Sequence, residues 1–169
     1  KPLPAYQDAT LHIYDAADYV QNAFDVPICT YGGELDKQLI ASTQMKAAAD
    51  KLQVPMSLIV GPGVGHAFHP ESLRQFMAFH HEKQVAGRTL PAAAREIRFV
   101  TWTVKYNACD WLAIEEQLLP YQESSVHAQV DAQGQVAKIT TRNVGVLRLS
   151  RDVADSVEID GVRLPLADA

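Results

Sequence analysis

The chain has no long apolar run, almost no cysteine and no excess of positive charge, and each gap removes a class of protein. No stretch approaches the ~20 apolar residues needed to cross a bilayer, and the opening Lys1-Pro2-Leu3-Pro4 lacks the apolar core of a secretion signal. A membrane is therefore not an expected partner. The two cysteines, Cys29 and Cys109, form no Cys-x-x-Cys pair, which argues against a metal knuckle or a redox motif. Each reads as a small buried apolar residue, with a disulfide between them left open. A formal charge of -5 offers no broad basic field for phosphates, so nucleic acid is not expected either. No Gly-x-Ser-x-Gly occurs, so the strained strand-to-helix turn that lifts a nucleophilic serine above a sheet is missing. The chain also opens without an initiator Met, which reads as a processed or excised piece of a longer parent. Low-complexity tracts and internal repeats are absent.

What remains is an ordinary globular composition, 169 residues with 47% hydrophobic and 21% charged, enough for one domain or two small ones. Residues 12–24 place Ile13, Ala16, Ala17, Val20 and Phe24 on one side at helical spacing, predicting a helix packed on a sheet. The run Val26 to Tyr31, closed by Gly32-Gly33, reads as a strand buried on both faces. An acidic turn follows, then a helix from Asp36 to Gln53 with Ala41, Met45, Ala48 and Leu52 as its apolar stripe. Pro55 stops it, and Met56 to Val60 makes the next buried strand. A glycine-rich turn, Gly61 to His66, leads to a helix over Glu71 to Lys83, with Pro70 in its first turn and Leu73, Phe76, Met77 and His80 along one side. Strand, helix, strand, helix is the grammar of a parallel sheet. Two such strands leave unpaired edges, so an upstream segment or a second copy of the chain is expected to complete the sheet.

Residues 84–95 carry Gly and Pro with little periodicity and read as a linker. Beyond it the period changes to two. Ile97, Phe99 and Thr101 alternate with Arg98, Val100 and Trp102, and the runs 126–130, 136–140 and 144–149 are rich in β formers. Gln133-Gly134 and Asp160-Gly161 supply hairpin turns. The expected organisation is thus an α/β unit over 1–83, a linker, and a mainly antiparallel, sandwich-like β unit over 96–169.

The residues that could do chemistry sit at the ends of the parallel strands, where side chains from open α/β sheets meet in a crevice. Asp36 follows the first strand and His66 the second. A carboxylate there would fix the imidazole tautomer and stabilise its protonated form, leaving the other ring nitrogen to take a hydroxyl proton. The bland alternatives are an N-cap for Asp36 and a solvated loop histidine for His66. Glu34 competes as the acid and ranks below Asp36 because it lies closer to the strand. His80 and His81 diverge around a helix, and His66 with His69 lacks a third ligand, so no metal is implied. Trp102, Tyr106 and Trp111 are candidates for a sugar-binding platform, with core packing the more common role for such residues. Asn143 reads as strand or turn. Asp131, Asp152, Asp155 and Asp160 fall in turns, where turn formation outranks calcium binding.

Tyr31-Gly32-Gly33-Glu34-Leu35-Asp36-Lys37-Gln38, followed by Leu58 to Phe68, resembles the end of the α/β-hydrolase domain of prolyl oligopeptidase-like serine peptidases and related esterases. The match spans about residues 12–83. By position, the resemblance makes Asp36 the triad acid and His66 the general base, in a fold where the order is Ser, acid, His. The nucleophile elbow, the oxyanion-hole amides and the earlier strands have no counterpart. The resemblance therefore implies the C-terminal part of a serine hydrolase acting on a peptide or ester through an acyl-enzyme, inactive alone and needing no cofactor. The competing expectation is a non-catalytic binding or assembly module, with carbohydrate a candidate ligand for the β unit. The compartment is open, with a soluble protein expected and a secreted or periplasmic parent among the options.

Overall fold

The computed structural model describes residues 2–90 and 93–165. They form two compact units, one built from residues 26–88 and the other from the segments on either side of it, 1–25 and 89–169. Helices and sheets are mixed, and most strand pairs are antiparallel.

The larger unit opens with helix α1 (Ala5–Leu11) and a 3-10 helix over Ala16–Phe24. It continues with β3 (Glu96–Thr101), β4 (Ala108–Cys109), β5 (Leu112–Glu116), β6 (Ser124–Val130), β7 (Val136–Arg142), β8 (Val146–Leu149), β9 (Ser156–Ile159) and β10 (Val162–Pro165). Five strands form one sheet in the order β10-β9-β7-β6-β3, and β4-β5-β8 form another. Every neighbour is antiparallel except the parallel β7–β9 pair. Period-two alternation sends Ile97, Phe99, Val126, Ala128, Ala137 and Ile139 inward, where they share one core with Leu112 and Ile114 of the second sheet and with Trp111 in the turn before β5. The β6–β7 hairpin turns at Gly134, whose φ is +73°, with the Asp131 carboxylate accepting the Gln135 and Val136 amides. The β9–β10 hairpin turns on Asp160-Gly161, both at positive φ, as a two-residue primed turn requires.

The predicted helix over 12–24 takes a different form. It packs on a sheet as predicted, through the buried Val20 and Ala23, and the strand it meets is β3. The Asn22 carboxamide donates to the Val100 carbonyl at 2.9 Å and accepts the Val100 N–H at 2.8 Å, while Asp25 accepts the Arg98 N–H at 3.3 Å. Strand β3 is the edge of its sheet, so these side chains occupy backbone groups that an added strand would otherwise seek. Residues 1–25 thus belong with the β strands, correcting the assignment of 1–83 to a single unit. The expected linker shrinks for the same reason. The helix that begins at Pro70 reaches Ala86, Ala94 accepts the Trp111 indole N–H, and Arg95 already bonds β6; Pro91 and Ala92 lie outside the described residues.

The unit of residues 26–88 is a β-α-β-α run: β1 (Ile28–Gly33), α2 (Leu39–Lys51), β2 (Met56–Gly61) and α3 (Pro70–Ala86). β1 and β2 pair in parallel from Ile28 opposite Met56 to Gly33 opposite Gly61, so both strands end level. Helix α2 is rotated from the predicted stripe. Ser42, Met45 and Ala49 form its covered side, while Ala41 and Leu52 are exposed. The Ser42 hydroxyl explains the rotation, since it meets Thr30 of β1 at 2.7 Å. Only Ala49 and Val54 are fully buried apolar residues here, whereas Ile40, Phe68, Leu73, Met77 and Val85 are exposed. Two strands and two helices bury too little to cover these residues.

Candidate active site: the Asp36–His66 dyad

Because β1 and β2 end in register, the turns that follow them leave the sheet side by side. Glycine permits their approach. A Cβ on Gly33 would collide with the carbonyl oxygens of Gly65 and Val64, so the acidic turn can lie against the histidine turn only with no side chain there. Three hydrogen bonds then join them: Glu34 N–H to Gly61 O at 2.8 Å, Leu35 N–H to Val64 O at 2.9 Å, and Gly63 N–H to the Glu34 carboxylate at 2.7 Å. Glu34 therefore works on backbone, as its position beside the strand predicts.

The result brings together the two residues singled out in the sequence. Asp36 Oδ2 lies 2.8 Å from His66 Nδ1, and Asp36 Oδ1 accepts the Gln38 amide at 2.9 Å. Asp36 is therefore not the N-cap of α2, a place that Gln38 takes; one of its carboxylate oxygens holds the turn and the other meets His66. The Asp36 side chain is 12% exposed and the His66 ring 81% exposed. The Gln38 amide, followed by the His66 contact, holds the Asp36 carboxyl below the usual carboxylate range. With a carboxylate on one side, the neutral imidazole carries its proton on Nδ1 and leaves Nε2 as a proton acceptor.

A cavity of about 430 Å³ borders the dyad, walled by Tyr31, Asp36, His66, Ala67, Phe68 and Phe76. Its lining also holds two residues of nucleophile type, Cys29 and Thr30. Neither is activated. Burial pushes the Cys29 thiol up, disfavouring the thiolate, and the Thr30 hydroxyl is engaged with Ser42. No serine lines this cavity among the described residues.

His69 precedes α3, and its Nδ1 has no hydrogen-bond partner. The His80 ring stands edge-on to Phe76 at 4.5 Å. Trp111 is 2% exposed in the core, which removes it from any surface platform. Trp102 stacks on His12 at 4.0 Å, and His12 Nδ1 lies 2.6 Å from Asp18. Asn143, at φ +55°, ties down the preceding loop through Leu119 and Gln122. Asp160 accepts both the amide and the hydroxyl of Thr141. Cys29 and Cys109 are thiols. Asp25, Cys109 and Asp110 are the one trio among the described residues whose ligand atoms lie within 4.8 Å of one another and could hold a cation. No described helix is long and apolar enough to cross a membrane.

Tyr31 and Asn22 carry no mark of a site in the sequence. A tyrosine in an apolar strand reads as core; the only local signal is the pair of glycines, Gly33 and Gly61, closing the two strands. Comparison with known proteins finds no match to a family, to a curated protein or to a solved structure.

Proposed function

We propose that this chain supplies the acid and the base of a serine hydrolase of the prolyl oligopeptidase-like α/β-hydrolase kind, acting on a peptide or ester, with the nucleophile contributed by residues outside it. The observation that carries the proposal is the 2.8 Å contact between Asp36 Oδ2 and His66 Nδ1 at the matched ends of two parallel strands. In this reading a serine hydroxyl gives its proton to His66 Nε2 as it attacks the carbonyl. Asp36 holds the tautomer and stabilises the imidazolium, and His66 returns the proton to the leaving group. No group of this chain is assigned to the oxyanion. The exposed apolar residues of the 26–88 unit support the existence of a covering partner, whether the nucleophile-bearing part of the parent or a second copy.

Turnover of a chromogenic ester or peptidyl anilide tests the proposal. The isolated chain is expected to show none above buffer. A polypeptide extended upstream of Lys1 is expected to contain Gly-x-Ser-x-Gly and to lose roughly 10⁴-fold or more of its kcat on His66→Ala. Turnover by the isolated chain that His66→Ala abolishes, or an upstream region without the elbow, would sink it.

The rival reading is a non-catalytic assembly module, favoured by the two unpaired edges of the β1–β2 sheet. A stable homodimer built through β1, with no upstream elbow in the gene, would select it.

A further inference from the structure

The His66 ring is 81% exposed, so packing on the ring does little to keep it facing Asp36. Besides the Asp36 bond itself, its orientation comes from the backbone that carries it; Glu34 holds that turn before His66, and the side chain that grips it after His66 is Tyr31. The phenol oxygen accepts the His69 N–H at 2.9 Å and donates to the Ala67 carbonyl at 3.0 Å. One oxygen thereby holds both ends of the three residues that follow His66. The Tyr31 ring also lies 4.4 Å from the Phe68 ring, which sits between those two anchor points. Room for the hydroxyl is reserved by Gly61, where a Cβ would collide with it. Tyr31 stands on β1, the strand that leads into Asp36, so the grip ties the base-bearing turn to the acid-bearing strand.

We propose that Tyr31 is the positioning residue of the dyad: its hydroxyl fixes the turn after His66 so that Nδ1 faces Asp36. This deepens the hydrolase reading and rests on it for the dyad's purpose. The hydroxyl of Tyr31 bonds Ala67 and His69 rather than His66, so its effect passes through the Ala67–His69 backbone.

The test is a long-range ¹H–¹⁵N spectrum of the imidazoles in the whole chain at about pH 8, where histidine is neutral. Wild-type His66 is expected as the Nδ1–H tautomer. In Tyr31→Phe, its ratio of Nδ1–H to Nε2–H should fall about fivefold, the change that one lost hydrogen bond carries. His12, paired with Asp18 in the other unit, should keep its tautomer and serves as the internal control. An unchanged His66 ratio in Tyr31→Phe, beside a collapse in Asp36→Asn, overturns the Tyr31 proposal and leaves the hydrolase reading intact. Absence of the Nδ1–H preference in wild type overturns the dyad, and the hydrolase reading with it. If Tyr31→Phe does not fold, exchange of the wild-type His69 amide decides: protection supports the phenol bond, and exchange at the unfolded-chain rate overturns it.

Discussion

Two aspartates in this chain respond to acid in opposite directions, and the difference follows from what each oxygen meets. Asp36 accepts the Gln38 amide and faces His66, which holds its carboxyl down. A lowered carboxyl contributes stability that is present above its unfolded value and is lost as pH falls through the folded one. Asp36→Asn should therefore be less stable than wild type near neutrality, with the gap closing in acid, read from urea midpoints. Asp25 is the reverse. Burial, reinforced by the nearby Asp110 and Glu96 charges, pushes it from 3.8 to about 6 in spite of the Arg98 amide and the Cys109 thiol. The folded state then holds the Asp25 proton more tightly, a contribution fully present below 3.8 and lost as pH rises through about 6. Asp25→Asn can still accept the Arg98 amide. Urea titration should find it matching wild type near pH 4 and exceeding it above pH 7, by on the order of 1–2 kcal/mol after discounting for partial exposure.

At the scale of elements, close approach of backbone decides more than apolar patterning does. Gly33→Ala would drive a methyl group into the Gly65 carbonyl. The two turns must then separate, at a cost of about 2 kcal/mol or more. Thermal unfolding should show the loss in the 26–88 unit while the β sheets keep their transition. Asn22→Ala would uncap the β3 edge, removing two hydrogen bonds at about 1 kcal/mol each; faster exchange of the Val100 amide is the expected readout. The strands were legible from the period of two in which Ile97, Phe99 and Thr101 alternate with Arg98, Val100 and Trp102, although Val100 proves buried as well. The meeting of Asp36 and His66 was legible for a related reason, since two parallel strands joined by a crossover helix leave both residues at the same end. The partner of residues 16–24 was not legible: helical spacing shows that one side is buried but carries no information on what buries it. Nor was the grip of Tyr31, which depends on the path of a turn 36 residues away.

The two units differ most in how well each hides its apolar surface. Thirteen buried residues form the core cluster of the β unit, whereas residues 26–88 contribute only Ala49 and Val54 to the buried apolar set. Buried apolar area largely sets stability in small domains. Calorimetry should therefore resolve a weaker transition from the 26–88 unit below that of the sheets. The exposed Met77, Val85 and Phe68 should also make the chain self-associate with rising concentration, as read by light scattering. A polypeptide that masks them should raise the lower transition and leave the upper one in place, by mass action on the folded form.

The carboxamide of Asn22 on the rim of β3 has a practical meaning for anyone cutting this polypeptide apart. Residues 16–25 stand before the parallel pair in sequence but serve the strands that come after it, so trimming the gene at codon 95 would strip the antiparallel sheet of its bumper. The shortened protein should polymerise through the bared strand. Splicing residue 25 to residue 89 through a flexible bridge keeps the guard in place and should yield a soluble β unit.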